Sequence, residues 1–487
     1  MAEGEEGKEA RGRREVSGGG KKMWSGRFRE PLDAEFERWQ RSLPFDRRLL
    51  AEELAASGAY AEALASAGVL TGDELRTLAD GLKKIGAAAT ADPHFLDDDE
   101  AEDIHDFVER RLVELMGDTG SKLHSGRSRN EQIATDLRLY VRKQCDTIGD
   151  LLLDLCSALV EQAEKAREAV MPAYTHLQPA EPVLVAHWLL AYAQMFLRDH
   201  ERLADCRKRV NLSPLGSSAI AGAPLALDRK TMASALGFDA PAANSIDATS
   251  DRDFAIEFVQ HLALAFTHLS RWAEEFIVFA TPAYGFVRLP EAFSTGSSAM
   301  PQKQNPDALE LIRAKAARVL GNATALLATM KGLPLAYNKD LQETQPPLFD
   351  SADQAALALR TAAGFMRAVE FDLDRMRAAA SADGMNALAA AMYLVAKGVP
   401  FRKAHERVGQ MVRACLDRGK QLGELSAAEL KAFGPEFGAD FAAALKLDAV
   451  LALHDVAGGT HPKRVAEQLA QLRKHIAEAR REAHAYA

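Results

Sequence analysis

The distribution of proline most constrains what this chain can fold into. Four long stretches contain none of the 19 prolines: 94–171, 242–281, 307–333 and 348–399. Because proline breaks helix interiors, these are the places where long helices can run. In the first of them, apolar residues recur at helical spacing: Ile148, Leu152, Leu155 and Leu159. The sequence therefore predicts a mainly α-helical fold.

Small residues within the predicted helices indicate packing on several sides. The segment AKAARVLGNATALLATM (314–330) is typical of a bundle interior or a subunit interface. No heptad seam is long enough for a coiled coil, and no repeat of 20–50 residues is present. The remaining prolines cluster mainly in three predicted loops between long helices: 172–182, 282–306 and 334–347. Functional residues tend to lie in such loops.

Length and charge restrict the class of protein. A chain of 487 residues is too long for one ordinary core, so two or three sub-domains are expected. The 60 basic and 69 acidic residues give a net charge of −9, which argues against a nucleic-acid binder. An anionic ligand would have to be held by local basic groups.

Cysteine spacing and the N-terminus indicate the cellular setting. The four cysteines stand far apart in sequence, without C-x-x-C or metal-ligand spacing, and predict reduced core residues of a cytosolic protein. No apolar run reaches transmembrane length, and the N-terminus lacks the apolar segment of a signal peptide. Residues 1–22 mix both charges and end in glycines, so they predict a disordered tail, with the folded chain starting near Met23.

The stretch 122–140, KLHSGRSRNEQIATDLRLY, contains two forked donors suited to carboxylate or phosphate, Arg127 and Arg129. Asn130 could cap the helix that follows. Taken alone, the stretch favours a surface turn with solvated arginines.

The stretch 172–188, PAYTHLQPAEPVLVAHW, places His176 between a hydroxyl and an amide in a proline-rich loop. A histidine there can transfer protons near neutral pH. A histidine that merely caps a backbone group is an equally good interpretation of this stretch alone.

The stretch 293–313, FSTGSSAMPQKQNPDALELIR, combines hydroxyls with a helix start. The triplet N-P-D before an apolar periodic run predicts Asn305 as N-cap and proline at the first helical position. The free amides of that helix form an anion site, and Lys303 stands just before it. Ser297 offers a hydroxyl beside a glycine hinge, although a flexible linker would contain the same residues.

The stretch 332–350, GLPLAYNKDLQETQPPLFD, places Tyr337, Asn338 and Gln342 in a loop bounded by prolines. In isolation a polar connection is the favoured interpretation.

Together the motifs are specific. The pattern G-S-S-x-M-P-Q-K-x-N-P-D resembles that of the fumarase/aspartase superfamily, and within it the chain is most similar to the argininosuccinate lyase family, from about Met23 almost to the C-terminus. The segments that carry the resemblance are WSGRF (24–28), EDIH (102–105), KLHSGRSRNEQ (122–132), YTHLQPAEP (174–182), NSIDATSDRDF (244–254), STGSSAMPQKQNPD (294–307) and YNKDLQE (337–343).

The resemblance implies a fold and a reaction. The fold would comprise an N-terminal helical domain (23–128), a central domain of long bundled helices (129–377) and a C-terminal helical domain (378–487). In the family a homotetramer is built around a twenty-helix core, and each site is assembled from three chains. The implied activity is the anti elimination of fumarate from argininosuccinate to give arginine, in arginine biosynthesis, with neither metal nor organic cofactor.

The resemblance also implies residue roles. Ser297 would be the catalytic base, and His176 the partner acid or base, paired with Glu310. Which of Ser297 and His176 takes the carbon-bound proton stays open. The implied substrate contacts are Ser42, Asn130, Thr175, Lys303, Asn305, Tyr337, Gln342 and the residue at position 345.

Departures from the family pattern leave alternatives open. Five positions differ from the usual residue: Ser125 (threonine), Glu131 (aspartate), Ser218 (glycine), Gln304 (lysine) and Gln345 (lysine). The family lysine at position 345 contacts a substrate carboxylate, so Gln345 predicts weaker succinyl binding. A lyase of another succinyl adduct, or a structural relative with weakened catalysis like the lens δ-crystallins, are the alternatives. The retained Ser297, His176 and Glu310 favour an enzyme.

Overall fold

The computed structural model describes residues 30–382 and 384–485. The predicted tail at 1–22 and the predicted start near Met23 lie outside the described residues. The chain divides into two compact units, one ending at Ser125 and one beginning at Gly126. It is 67% helical, so the predicted mainly α fold is confirmed. The division into three domains stays a prediction.

The N-terminal unit consists of α-helices and short connections. Its helices are α1 (Ala34–Gln40), α2 (Leu43–Asp46), α3 (Leu50–Ser66), α4 (Gly72–Ala91), α5 (Ile104–Met116) and α6 (Asp118–Lys122). Helix α4 begins with a capping box, in which Thr71 and Glu74 satisfy each other's backbone N–H groups. Tyr60, Leu64 and Phe107 are fully buried in the core of this unit.

A buried polar cluster lies inside the N-terminal unit. The Glu53 carboxylate is 2.8 Å from Nδ1 of His105 and accepts the hydroxyl of Ser57 at 2.5 Å. Nearby, Asp46 accepts the backbone N–H of Ile104 at 3.1 Å and the hydroxyl of Ser42. Burial raises the pKa of Asp46 to about 7, because the ionised carboxylate is poorly solvated.

The second unit contains the long helices together with several short ones. They are α7 (Arg129–Lys165), α8 (Val185–Val210), α9 (Arg229–Ala235), α10 (Ser245–Ser250), α11 (Asp253–Ala280), α12 (Asp307–Met330), α13 (Gln345–Ala368), α14 (Leu373–Ala380), α15 (Ala387–Ala396), α16 (Phe401–Leu416), α17 (Ala427–Phe433), α18 (Phe441–Ala444), α19 (Leu447–Ala452) and α20 (Pro462–Ala485). Helix α7 packs along α8 and α13, and α11 packs along α12 and α8. Helices α7, α11, α12 and most of α13 lie in the four proline-free stretches, as predicted, whereas α8 lies outside them.

Aromatic side chains fill the centre of the bundle. The ring of Trp272 lies 5.1 Å from that of Phe276 and 5.6 Å from that of Phe365, which joins α11 to α13. All three side chains are buried. Such edge-to-face and tilted contacts add to the stabilisation from apolar burial.

Short strands pair at the ends of the helices. They are β1 (Val170–Thr175) with β2 (Gln178–Leu184), β3 (Leu212–Ser213) with β4 (Ala240–Pro241), β5 (Val287–Arg288) with β8 (Glu370–Phe371), and β6 (Thr295–Gly296) with β7 (Gln304–Asn305). Only the β3–β4 pair is parallel among the described strands. The proline-rich stretch at 172–182 was predicted as a loop, but it forms β1 and β2, where proline is tolerated because both are edge strands.

The C-terminal part has a core of its own and a returning helix. Tyr393, Phe437 and Phe441 pack together, with 4.9 Å between the rings of the two phenylalanines. Helix α20 runs back along α7. None of the described helices has the length and apolar character needed to cross a membrane.

Asp46→Asn should stabilise the protein more at high pH than at low pH. The folded-state pKa lies near 7 and the ordinary value is 3.8, so the folded protein keeps a proton that the unfolded chain has lost. The cost of ionised Asp46 therefore grows from about pH 4 to pH 7 and is constant above it. At about 1.4 kcal/mol per pKa unit, the gain from asparagine should be about 2.5 kcal/mol larger at pH 8 than at pH 5.

Urea unfolding at the two pH values measures this difference. The exposed Asp80→Asn serves as control and should give the same small change at both. A pH-independent effect of Asp46→Asn would contradict the assignment.

Candidate active site

The serine loop is a short hairpin with Ser297 near its tip. Strands β6 and β7 pair Thr295 with Asn305 and Gly296 with Gln304. The hydroxyl oxygen of Ser297 accepts the backbone N–H groups of residues 299 and 300 at 3.2 and 3.1 Å. Two N–H donors aimed at this oxygen would stabilise negative charge on it.

The base of the loop is fastened to the start of α12. The Asp307 carboxylate accepts both the N–H (3.1 Å) and the hydroxyl (2.7 Å) of Thr295, and these bonds lower the pKa of Asp307. Asp307 is the first residue of α12, and Pro306 occupies the cap position without a side-chain cap. The prediction that Asn305 caps this helix was wrong by one residue. Its amide instead reaches Thr295 and Gly296 at 3.4 Å.

The other predicted residues of this segment are exposed. Lys303 lies beside β7, where its N–H closes a turn to the carbonyl of Met300 at 3.0 Å. Glu310 lies in the first turn of α12 and faces solvent.

His176 occupies a strained two-residue turn. Thr175 and Gln178 are the last paired residues of β1 and β2, so His176 and Leu177 form the turn between them. Both have positive φ, 56° and 57°. Such turns normally use Asn-Gly or Gly-Gly, because L-residues pay about 1–2 kcal/mol in this conformation. Strain of this kind concentrates at functional sites.

The hairpin is held by aromatic packing against the end of α11. The ring of Tyr174 lies 5.8 Å from that of Phe279 and 5.4 Å from that of Tyr284. Tyr174 and Leu177 also line a cavity of about 410 Å³ together with Glu274 and Arg313, which form an ion pair between α11 and α12. The histidine turn and the start of α12 therefore lie at the same end of the bundle.

Asn130 lies at the start of α7. Ser128, not Asn130, caps this helix, in a capping box with Glu131, so the predicted cap was wrong. The side-chain amide of Asn130 donates to the carbonyl of Ala219 at 3.3 Å.

Glu131 is the point at which two departures from the family pattern meet. Its buried carboxylate accepts N–H groups from Ser128 (3.1 Å), Gly216 (2.5 Å) and Ser218. Burial nevertheless raises the pKa of Glu131. Ser218, which replaces the usual glycine, has a φ of 54°. Glu131, which is longer than the usual aspartate, therefore holds the turn at 216–218, in which Ser218 is a strained L-residue.

The stretch 332–350 forms a 3₁₀ helix (Lys339–Thr344) that leads into α13. Tyr337 is half-buried and Gln342 is buried. Gln345 is the first residue of α13 and is 2% exposed, and its Oε1 has no hydrogen-bond partner among the described residues. A buried carbonyl without a partner is costly.

Arg252 is not among the site residues predicted from the sequence. Its guanidinium is fully buried, and Nε and Nη2 have no hydrogen-bond partner among the described residues. Burial lowers the pKa of Arg252 to about 10, opposed by an electrostatic interaction with Tyr337. The available signal was an arginine within the acidic segment SDRDF. Lys303 and Lys339, by contrast, are exposed.

Within one chain the predicted residues form two groups at opposite ends of the bundle. Helix α11 has 28 residues, so it is about 42 Å long at 1.5 Å per residue. Tyr174 packs near its C-terminal end, whereas Asp251, just before its N-terminal end, pairs with Arg138 of α7. The first group comprises Thr175, His176, Ser297, Lys303, Asn305 and Glu310. The second comprises Asn130, Tyr337, Gln342 and Gln345.

Several contacts place the second group together. The ring of Phe349, near the start of α13, lies 5.1 Å from that of Tyr140 in α7. Arg252 interacts electrostatically with Tyr337 and Arg138, so these side chains lie near one another. Ser42, the remaining predicted contact, lies in the N-terminal unit, buried and bonded to Asp46. Among the described residues, no hydrogen bond or ion pair joins Ser297, His176 and Glu310.

Comparison with known proteins gives the class. The family described as Lyase matches residues 26–321. The solved structure of an EDDS lyase in complex with formate has a TM-score of 0.83 at 25% identity, covering 91% of this chain and 89% of that chain. The fold and the serine-loop motif thus define a lyase of the fumarase/aspartase superfamily.

Closer relatives define the family. The argininosuccinate lyase of Koribacter versatilis is 59% identical over 455 residues, 93% of this chain and 97% of its own. That of Acidobacterium capsulatum is 56% identical over 458 residues, 93% of this chain and 94% of its own. The argininosuccinate lyase C-terminal family also matches residues 384–452. The chain belongs to the argininosuccinate lyase family, and the predicted family and lyase activity are confirmed.

Ser218→Gly should stabilise the protein by up to about 1 kcal/mol. It removes the strain of positive φ, about 1–2 kcal/mol, and this gain exceeds the extra entropy of glycine in the unfolded chain. Ala219→Gly, at the next residue, where φ is not positive, is the matched control and should destabilise. Urea unfolding measures both, and equal effects would show that residue 218 is not strained.

Proposed function

We propose that the protein cleaves argininosuccinate into fumarate and arginine by anti elimination, as a step of arginine biosynthesis in the cytoplasm. Ser297 is the base, and His176 with Glu310 forms the partner acid–base pair. The His176 group and the Asn130 group lie at opposite ends of the bundle, and from this separation we infer how the site is assembled. The four cysteines of the protein are free thiols, as is typical of a reducing compartment such as the cytoplasm.

The chemistry requires an activated serine. A carbon acid beside a carboxylate is very weak, and an ordinary hydroxyl is too weak a base for it. The N–H groups of residues 299 and 300 donate to the Ser297 oxygen, so they would stabilise the alkoxide that removes the proton. The elimination then expels the guanidino nitrogen of the leaving arginine.

The developing aci-carboxylate needs positive groups placed in advance. Lys303 is exposed on the same hairpin as Ser297 and supplies such a charge. Asn305 is hydrogen-bonded into the base of that hairpin, and its amide can turn from Thr295 to a bound carboxylate. Loop movement therefore brings base and carboxylate contacts to the substrate together.

A single chain cannot assemble the whole site around one small substrate. His176 and Asn130 belong to groups that lie at opposite ends of a bundle about 40 Å long. A homotetramer with antiparallel neighbours would bring the His176 end of one chain to the Asn130 end of another. We therefore propose that each site is shared between subunits.

The outer face of α12 provides a surface for this assembly. A line of small, exposed residues continues from Glu310 along the helix: Ala314, Ala317, Gly321, Thr324 and Ala328. Exposed leucines flank it, with Leu311, Leu320 and Leu327 at 58%, 46% and 49% exposure. An apolar face of this length needs a partner, and its small residues permit close helix–helix contact.

Ser297→Ala and His176→Asn should each leave folding and substrate binding nearly intact while turnover falls by orders of magnitude, since only transition-state steps lose the group. Fumarate absorbance measures turnover. Near-normal turnover of Ser297→Ala would show that another residue is the base.

Co-expression of His176→Asn with Asn130→Ala should restore part of the activity. Some sites in the mixed tetramers then combine an intact histidine from one chain with an intact asparagine from another. His176→Asn co-expressed with the His176→Asn, Asn130→Ala double variant is the control and should stay inactive. If both residues came from one chain, no mixture would recover activity.

Light scattering should give a tetramer, and an active monomer would contradict the shared site.

The Thr344→Asp, Gln345→Lys double variant should raise kcat/KM for argininosuccinate, mainly through KM. An amide carries no charge, and charge-assisted hydrogen bonds are roughly twice as strong as neutral ones. The native glutamine should therefore weaken succinyl binding by about 1–3 kcal/mol. Thr344 is fully buried, so a lysine alone would lack a buried partner.

Gln304→Lys is the matched control for this prediction. It restores the other missing family lysine, but on an exposed loop residue, and should change kcat/KM little. An unchanged or lower kcat/KM in the double variant would mean that the enzyme holds its substrate differently. That outcome would favour a different succinyl adduct as substrate.

A further inference from the structure

Three helices bring metal-ligating side chains together away from the serine loop and the histidine turn. Cys206 on α8 and the pair Glu257 and His261 on α11 each offer a ligand atom within 4.8 Å of the others. The thiol of Cys145 on α7 is hydrogen-bonded to that of Cys206. We propose that these four side chains bind one Zn²⁺ ion.

The backbone positions suit tetrahedral coordination. Glu257 and His261 are four residues apart on α11, so they project from the same face. Cys206 faces them from the last turns of α8, and Cys145 approaches from α7, which packs along α8. With Zn–S near 2.3 Å and Zn–N near 2.0 Å, tetrahedral ligand atoms lie about 3.3–3.8 Å apart. The ligand atoms of Cys206, Glu257 and His261 need to approach by only about 1 Å, and the Cys145 thiol joins them through its contact with Cys206.

The donor set selects the ion. Two thiolates and an imidazole prefer zinc to the hard ions magnesium and calcium, which take oxygen ligands. Both thiols are buried, Cys206 completely and Cys145 at 3% exposure. Binding replaces each S–H proton, which leaves to solvent, with a Zn–S bond.

The guanidinium of Arg209 is hydrogen-bonded to the carboxylate of Glu257. Its Nε donates to both carboxylate oxygens, at 3.0 and 2.9 Å, and Nε2 of His261 lies 3.4 Å from one of them. The Arg209 side chain is 57% exposed, so it can turn to solvent when the carboxylate binds the ion. Glu257 is therefore the exchangeable ligand, and the two cysteines with His261 form the fixed part of the site.

Cobalt tests the site because tetrahedral Co²⁺ reports its ligands by absorption. Full-length protein, stripped of metal and kept reduced, should bind one Co²⁺ per chain. The complex should show a thiolate-to-cobalt charge-transfer band and intense visible bands, and Zn²⁺ should abolish both. Absence of a charge-transfer band would overturn the proposal.

Variants locate the site. Cys206→Ser should abolish the charge-transfer band, and His261→Gln should weaken Co²⁺ binding at least about tenfold. Cys156→Ser is the control, because this buried thiol of α7 donates to the carbonyl of Ala193 and is not one of the four ligands. A band that survives in Cys206→Ser, or is lost in Cys156→Ser, would overturn the assignment.

A stability measurement covers the case in which Cys206→Ser fails to fold. Zn²⁺ should raise the Tm of the wild-type protein, because an ion bound only by the folded state stabilises it. The rise should be smaller in His261→Gln, at a half-buried position. Equal Tm shifts in the two proteins would contradict the site. None of these readouts depends on lyase activity.

Discussion

Packing of α7 against α8 fixes the positions of the other parts of the second unit. Helix α7 has 37 residues, of which Leu152, Leu155 and Leu159 are fully buried. At its far end the amide of Gln162 donates to the carbonyl of Met366 at 2.7 Å, which attaches α13. Because a helix rises 1.5 Å per residue, this packing also sets how far apart the two ends of the bundle are. The division of site residues between two ends follows from helix length.

Backbone strain marks the same regions. Among the described residues, the non-glycine positions with positive φ are His176, Leu177, Ser218 and Ala336. The first two form the histidine turn, Ser218 donates to Glu131 beside Asn130, and Ala336 precedes Tyr337. Each therefore lies in or next to a motif of the candidate site. Strain of this kind persists where surrounding contacts hold it, here aromatic packing around Tyr174 and the Glu131 carboxylate.

Much of the fold followed from the sequence, and the failures have physical causes. Missing prolines and apolar periodicity locate the long helices because both reflect local backbone chemistry. The caps of α7 and α12 were each misplaced because neighbouring polar residues compete for the same N–H groups. Ser128, not Asn130, accepts the N–H group at the start of α7. The hydrogen bonds between Thr295 and Asp307 hold Asn305 within the hairpin, so it does not cap α12.

Residues that act through tertiary contacts cannot be recognised from local sequence motifs. Arg252 gains its significance from complete burial, which only packing determines. The cysteines are far apart in sequence, and no local spacing relates Cys206 to Glu257 and His261. The residue roles implied by family resemblance, such as those of Ser297 and His176, stay predictions. The structure gives the position and the local contacts of these residues.

Unsatisfied polar groups at the Asn130 end give an energetic reason for a site that is completed from outside the chain. Among the described residues, the side-chain carbonyl oxygen of Gln345 is buried without a hydrogen-bond partner. Two buried nitrogens of the Arg252 guanidinium likewise have none. Each such group costs about 1–3 kcal/mol, and more when charged. A folded protein tolerates that cost where a ligand or a neighbouring subunit later supplies the partner. A succinyl carboxylate would match the positive charge of Arg252. Gln345 donates through its amide nitrogen only, and its carbonyl oxygen would repel the same carboxylate. The replacement of lysine by glutamine at position 345 therefore removes a positive charge from this end of the bundle.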